Sequence, residues 1–111
     1  MKISIKALQL KLTPSITTFI EDKLGTLAKY LKKFEPTGQP AIWLEIMRTT
    51  RHHKRGFVYA AEADLRLPGK ILRAEHEDVD IRVAIQRLRD KLKLEIEKYK
   101  TKTGERPRRA A

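Results

Sequence analysis

Residues 80–102 read DIRVAIQRLRDKLKLEIEKYKTK. At about 100° per residue, Ile81, Ala84, Ile85, Leu88, Leu92, Ile96 and Tyr99 gather in one arc, which predicts a long helix with a single apolar stripe. Asp78 and Asp80 each offer a carboxylate to cap its start. Such a helix needs an apolar surface to lie on, so the rest of the chain has to supply one. Beside the stripe the helix is basic on both edges. Arg82, Arg89, Lys93 and Lys100 fall on one flank, and Arg87, Lys91 and Lys98 on the other. Asp90, Glu95 and Glu97 neutralise part of this charge, and lysines beside a stripe can snorkel to water. A docked helix with a cationic rail along each edge suits a long polyanion better than a small ligand.

Upstream of this helix the period changes to two. Phe57, Tyr59, Ala61, Ala63, Leu65 and Leu67 alternate with polar or small residues, Pro68-Gly69 signals a turn, and Lys70 to His76 returns with Leu72 and Ala74 on the same side. Ala41 to Thr49 alternates Ile42, Leu44 and Ile46 against Trp43, Glu45 and Met47. Small Ala61 and Ala63 would let a helix approach the sheet closely. Further back, Thr13-Pro14 reads as an N-cap and a first-turn proline. Ile16, Ile20, Leu24, Leu27, Leu31 and Phe34 then hold helical spacing, with Phe19 and Tyr30 at the margin, until Pro36-Thr37-Gly38-Gln39-Pro40 stops it. Lys2 to about Leu10 opens the chain as a short strand.

The order is thus strand, helix, three antiparallel strands, helix. Two singly striped helices and a sheet with one apolar face satisfy each other as an α/β two-layer sandwich. The expected architecture is βαβββα, a four-stranded mixed sheet with both helices on one face, like double-stranded-RNA-binding domains. Residues 1–102 form the domain, and 103–111, with Arg106, Pro107, Arg108 and Arg109, form a flexible basic tail.

Composition narrows the function. Twenty-five Lys and Arg against 14 Asp and Glu leave a net charge of +11 on 12.9 kDa, which favours nucleic acid as partner. There is no cysteine, hence no disulfide or thiolate metal site, in keeping with a cytoplasmic protein. No apolar run approaches the roughly 18 residues of a membrane span. Neither a Gly-rich phosphate loop nor a nucleophile elbow is present, and Glu62 and Asp64, though on one strand face, have no evident cleft. The reading is a non-enzyme without cofactor, metal or small-molecule substrate.

Two further features stand out. Residues 48–56 connect two strands with Arg51, His52, His53, Lys54 and Arg55, and this self-repelling loop would be relieved by a phosphate backbone. The adjacent histidines would point apart on extended backbone, so they suit hydrogen bonding or stacking with RNA better than a metal. Lys23 falls inside the apolar arc of the first helix, where it either snorkels past the edge or enters a groove between helices.

Across residues 1–102 the chain resembles the ribosome hibernation-promoting factors and ribosome-associated translation inhibitors, formerly called sigma-54 modulation proteins. The resemblance is carried by Leu12-Thr13-Pro14, Lys23-Leu24, Leu27-Ala28-Lys29-Tyr30, Leu67-Pro68-Gly69, Leu72-Arg73-Ala74, Asp80, Ala84-Ile85, Asp90-Lys91-Leu92 and Lys98, in that order. It implies a non-catalytic cytoplasmic protein that binds the small ribosomal subunit on 16S rRNA, where messenger and transfer RNA would lie, and stops translation in stressed or stationary cells. Lys23, Lys29, Lys91 and Lys98 match the family's basic helix positions. Thr26 and Leu94 stand where members often carry a base, and Arg82 where they carry an aromatic, so the basic patch shifts toward Arg82, Lys93 and the 48–55 loop. Long members add a C-terminal domain that pairs ribosomes, to which nothing in these residues corresponds.

The expected RNA-contacting set is Lys23, Lys29, Arg51, His52, His53, Lys54, Arg55, Arg82, Arg87, Arg89, Lys91, Lys93, Lys98, Lys100 and Lys102, on a chain acting as a monomer. The alternative is a general module for double-stranded or structured RNA that uses the same surfaces without the ribosome. A protein-interaction domain acting on transcription, which the old family name suggests, fits the charge of +11 poorly.

Overall fold

The computed structural model describes residues 1–50 and 57–102. The strands are β1 (Lys2–Leu8), β2 (Ala41–Thr50), β3 (Phe57–Leu67) and β4 (Lys70–Asp78), and the helices are α1 (Pro14–Gly25) and α2 (Ile81–Lys102). The sheet order is β1-β2-β3-β4, with β1 parallel to β2 and the other pairs antiparallel. The α/β sandwich with βαβββα order is therefore the observed fold. Both helices cover one face, because only that face is continuously apolar. Register aligns Ile5, Leu44, Ala63 and Ala74 across the four strands, and Ile3, Ile42, Leu65 and Leu72 in the next row. The buried core of the described residues holds no polar or charged side chain.

Local sequence explains the ends of the elements. Gln9 at φ 61° takes the chain out of β1. Thr13 Oγ1 accepts from the Ile16 amide at 3.2 Å and Pro14 occupies the first turn of α1. The β3–β4 hairpin closes on Pro68-Gly69, with Gly69 at φ 76°, a region that glycine enters without a Cβ penalty. Of the two possible caps of α2, Asp80 acts directly, its Oδ1 accepting from the Arg82 and Val83 amides at 2.8 and 3.3 Å. Asp78 Oδ1 instead accepts from the Asp80 amide at 3.0 Å and braces the cap.

One expectation changes. The apolar spacing predicts a first helix that runs to Phe34, but α1 ends at Gly25 and two 3-10 turns follow, Thr26–Tyr30 and Lys32–Thr37. Gly25 weakens the helix interior, and Thr26 Oγ1 donates to the Lys23 carbonyl at 2.6 Å. The tighter winding still buries Leu27 and Leu31 beside Leu24. It also brings Phe34 onto Tyr99 of α2, with ring centroids 5.7 Å apart.

Candidate nucleic-acid interface

α1 and α2 lie side by side on the sheet, and the seam between them collects cations around two aromatic rings. At one end is Phe19 of α1. The Lys23 ammonium lies 5.5 Å from its centroid, one helical turn on, and the Arg82 guanidinium reaches the same ring at 5.5 Å from α2. Arg82 Nη2 also donates to Ser15 Oγ at 2.8 Å, which fixes the guanidinium across the seam.

Further along is Tyr30, in the 3-10 turn after α1. Lys29 and Lys93 each place an ammonium 5.3 Å from its ring centroid, from opposite sides of the seam in sequence. Between the two rings, Arg89 Nε donates to Thr26 Oγ1 at 2.9 Å, with Arg89 Nη1 3.3 Å from Asp90. Loss of water around the Tyr30 phenol raises its pKa, but the hydrogen bond from Lys93, the charges of Lys29 and Lys93 and a hydrogen bond from Arg89 outweigh this. The phenol consequently titrates below its ordinary value.

Holding a cation over a ring differs from pairing it with a carboxylate. The ring orients the ammonium and contributes about 0.5–1 kcal/mol, yet leaves the charge un-neutralised and able to meet a phosphate. The two half-buried rings can themselves stack on unpaired bases. The seam is therefore a line of fixed positive charge with aromatic footholds, built from Lys23, Lys29, Arg82, Arg89 and Lys93.

The second rail of α2 faces elsewhere. Lys91 Nζ donates to the Glu75 carbonyl of β4 at 2.8 Å, and Lys98 lies 3.7 Å from Glu95. Lys98 and Lys102 border a groove of about 500 Å³ that Leu72, Leu94 and Tyr99 line, on the β4 side of α2. Arg87 is exposed, and Lys100 is half-buried toward the end of the helix. The structure thus brings the first flank of α2 together with Lys23 and Lys29, and leaves Arg87, Lys91 and Lys98 apart from them. Arg51, His52, His53, Lys54 and Arg55 lie outside the described residues.

Sequence reasoning missed Phe19, Tyr30, Ser15 and Thr26 as parts of this surface. The available signals were the Phe19/Lys23 spacing, i and i+4 on a helix, and the Lys29-Tyr30 adjacency. Thr26, standing where a base is expected, is the acceptor for Arg89, so that α2 supplies the charge which α1 lacks at this point. Among the described residues no group of three His, Asp or Glu side chains could hold a metal, and no helix is long and apolar enough to cross a membrane.

Comparison with known proteins follows the same lines. Residues 3–103 match the family described as sigma 54 modulation protein / S30EA ribosomal protein. The chain is 31% identical over 112 residues to a ribosome hibernation promotion factor of Lactococcus lactis subsp. cremoris, covering 99% of this chain and 55% of that one. It thus spans about half the length of that relative. It is also 31% identical over 100 residues to a ribosome hibernation promoting factor of Acinetobacter guillouiae, covering 90% of this chain and 88% of the other. Among solved structures, the N-terminal domain of Thermus thermophilus Protein Y superposes with a TM-score of 0.65 at 25% identity, over 89% of this chain and 99% of that one. A ribosomal subunit interface protein from Coxiella burnetii shares the fold, with a TM-score of 0.71 at 20% identity, over 91% and 99% of the two chains.

Proposed function

The chain belongs to the sigma 54 modulation protein / S30EA ribosomal protein family, and from that premise we propose that it is a ribosome hibernation factor. It binds the small ribosomal subunit on 16S rRNA, in the channel of messenger and transfer RNA, and blocks translation by occupying that space. The action is steric and needs no catalysis, cofactor or small-molecule substrate. Residues 1–102 form the ribosome-binding domain, residues 103–111 a basic tail, and the chain acts as a cytoplasmic monomer.

The observation that carries this reading is the seam between α1 and α2, where Lys23, Arg82, Lys29 and Lys93 are held over Phe19 and Tyr30. Cations in that state read a phosphate backbone by shape and charge, which is how folded RNA presents itself. The absence of buried polar side chains among the described residues leaves no desolvated acid or base to run a reaction.

The test compares isolated 30S subunits with a plain RNA duplex, and then fills the subunit with messenger and initiator transfer RNA. Tight binding to 30S, weaker binding to duplex and a severalfold loss of affinity on filling are expected. Equal affinity for duplex and subunit would favour the general RNA-binding module, and unchanged affinity for the filled subunit would remove the channel placement.

A further inference from the structure

The sheet face turned away from the helices has a different electrostatic character. Cross-strand register sets Glu45 of β2 opposite Glu62 of β3, and Glu62 opposite Glu75 of β4, so three carboxylates form one row across three strands. Neighbouring strands are about 4.8 Å apart, and like charges directly opposite each other destabilise a sheet. Beside this row, Arg73 engages Asp64 at 3.1 Å, but none of the three glutamates has an ion-pair partner among the described residues. A chain with 25 Lys and Arg has kept cations out of the middle of this row.

The row is also framed by apolar side chains that water does not favour. Trp43 and Met47 flank Glu45 along β2 on the same face, 45% and 38% exposed. Trp43, Glu45, Glu62 and Asp64 border a shallow depression of about 130 Å³. A guanidinium satisfies both halves of such a surface, since it stacks flat on an indole and donates in a fork to a carboxylate. An RNA ligand is repelled from the row, so a polyanion held on the helical side leaves this face to a ligand of opposite charge.

We propose that the open sheet face is a docking surface for an arginine-rich, extended segment of another protein, with Trp43 as the stacking platform and Glu45, Glu62 and Glu75 as the anionic row. The bound segment lies across β2, β3 and β4, while the seam between α1 and α2 stays free. It removes the like-charge repulsion that the isolated sheet retains.

Trp43 is the sole tryptophan of the chain, so its fluorescence reports this face directly. The full chain is titrated with a short peptide of alternating arginine and serine, and with the same peptide carrying citrulline for arginine. The arginine peptide should shift Trp43 emission saturably and the citrulline peptide should not. The variant Glu45→Gln/Glu62→Gln/Glu75→Gln should bind the arginine peptide at least roughly tenfold more weakly. Its melting temperature should be no lower than that of wild type, because repulsion is removed, and it should bind an RNA duplex as wild type does. That last measurement separates this proposal from the RNA reading. Equal peptide binding by the variant and wild type overturns it, as does the absence of a saturable shift. A change of Trp43 emission on replacing Arg106, Arg108 and Arg109 with serine, without peptide, would assign the face to the chain's own tail and overturn it too.

Discussion

Arg89 of α2 donates through Nε to the hydroxyl of Thr26 at 2.9 Å, across 63 positions of sequence. The Arg89 side chain is only 16% exposed, so this hydrogen bond holds the short turn after α1 against α2 where water competes least. Thr26 also donates to the Lys23 carbonyl, and its hydroxyl thereby joins the end of α1 to the seam.

Thr26→Val keeps the branched shape and removes both hydrogen bonds. It should lower stability by about 1 kcal/mol in urea unfolding, and in combination with Arg89→Met should cost less than the two single changes added. Strict additivity in that double-mutant cycle would mean that the two side chains are not coupled.

Lys23→Met retains the packing of the stem and removes the ammonium held over Phe19. Melting should be unchanged, whereas removal of a charge-assisted hydrogen bond to phosphate, of the order of 1.5–3 kcal/mol, would weaken 30S binding about tenfold to a hundredfold. Measuring both on one sample separates damage to the fold from damage to the surface. Equal 30S binding would leave Lys23 as a solvated lysine on an aromatic ring.

Tyr30 provides a pH signature. Its folded-state pKa lies below the ordinary 10.0, mainly through Lys93 and Lys29, which overcome the loss of hydration. Unfolded chains titrate this phenol at the ordinary value. As pH rises through the folded pKa the phenolate begins to stabilise the fold, and that stabilisation is fully present only above the unfolded pKa. It is absent at neutral pH, where the phenol is protonated in both states. Wild type should therefore gain stability relative to Tyr30→Phe as pH climbs toward and past 10.0. The tyrosinate absorbance difference between the two should have its midpoint below that value, and a midpoint at or above it would show that the ammonium groups do not hold the phenolate.

Replacing Arg51, Lys54 and Arg55 with serine should leave the melting temperature in place and flatten the dependence of log affinity for 30S on log salt, by about one unit for each phosphate no longer neutralised. A slope equal to wild type would make this stretch a bystander.

Asp80→Ala removes the acceptor for two amides at the start of α2. A loss of about 1 kcal/mol is expected, with Asp80→Asn recovering most of it. Equal stability of the alanine and aspartate forms would transfer the capping role to Asp78.

The alternation of Ile42, Leu44 and Ile46, and of Ala61, Ala63 and Leu65, is enough to give the strands and their buried sides, since a period of two admits one assignment. The stripe on residues 81–102 is equally plain, and the angular reading separates its two basic flanks. Spacing along one helix does not say which flank meets α1, because that depends on how α2 is rolled on the sheet. Hence Lys93 and Lys91 read alike in sequence, yet one lies over Tyr30 and the other is tied to the β4 backbone. The change to 3-10 winding after Gly25 is hidden for a related reason. Leu24, Leu27 and Leu31 are spaced three and four apart, which either kind of turn accommodates. Glu62 and Asp64 read as one strand face, but the row Glu45–Glu62–Glu75 exists only through register between strands.

Cations along one side of the sandwich and a carboxylate row on the other give the molecule an electric dipole running through its thin dimension. α2 alone carries eight Lys and Arg against three Asp and Glu. In the field of a polyanion such a body turns while it diffuses, so that collisions begin with the helices in front and the sheet behind. Most encounters therefore start in one orientation, and the advantage lies in the association rate, which falls as added salt shortens the reach of the field.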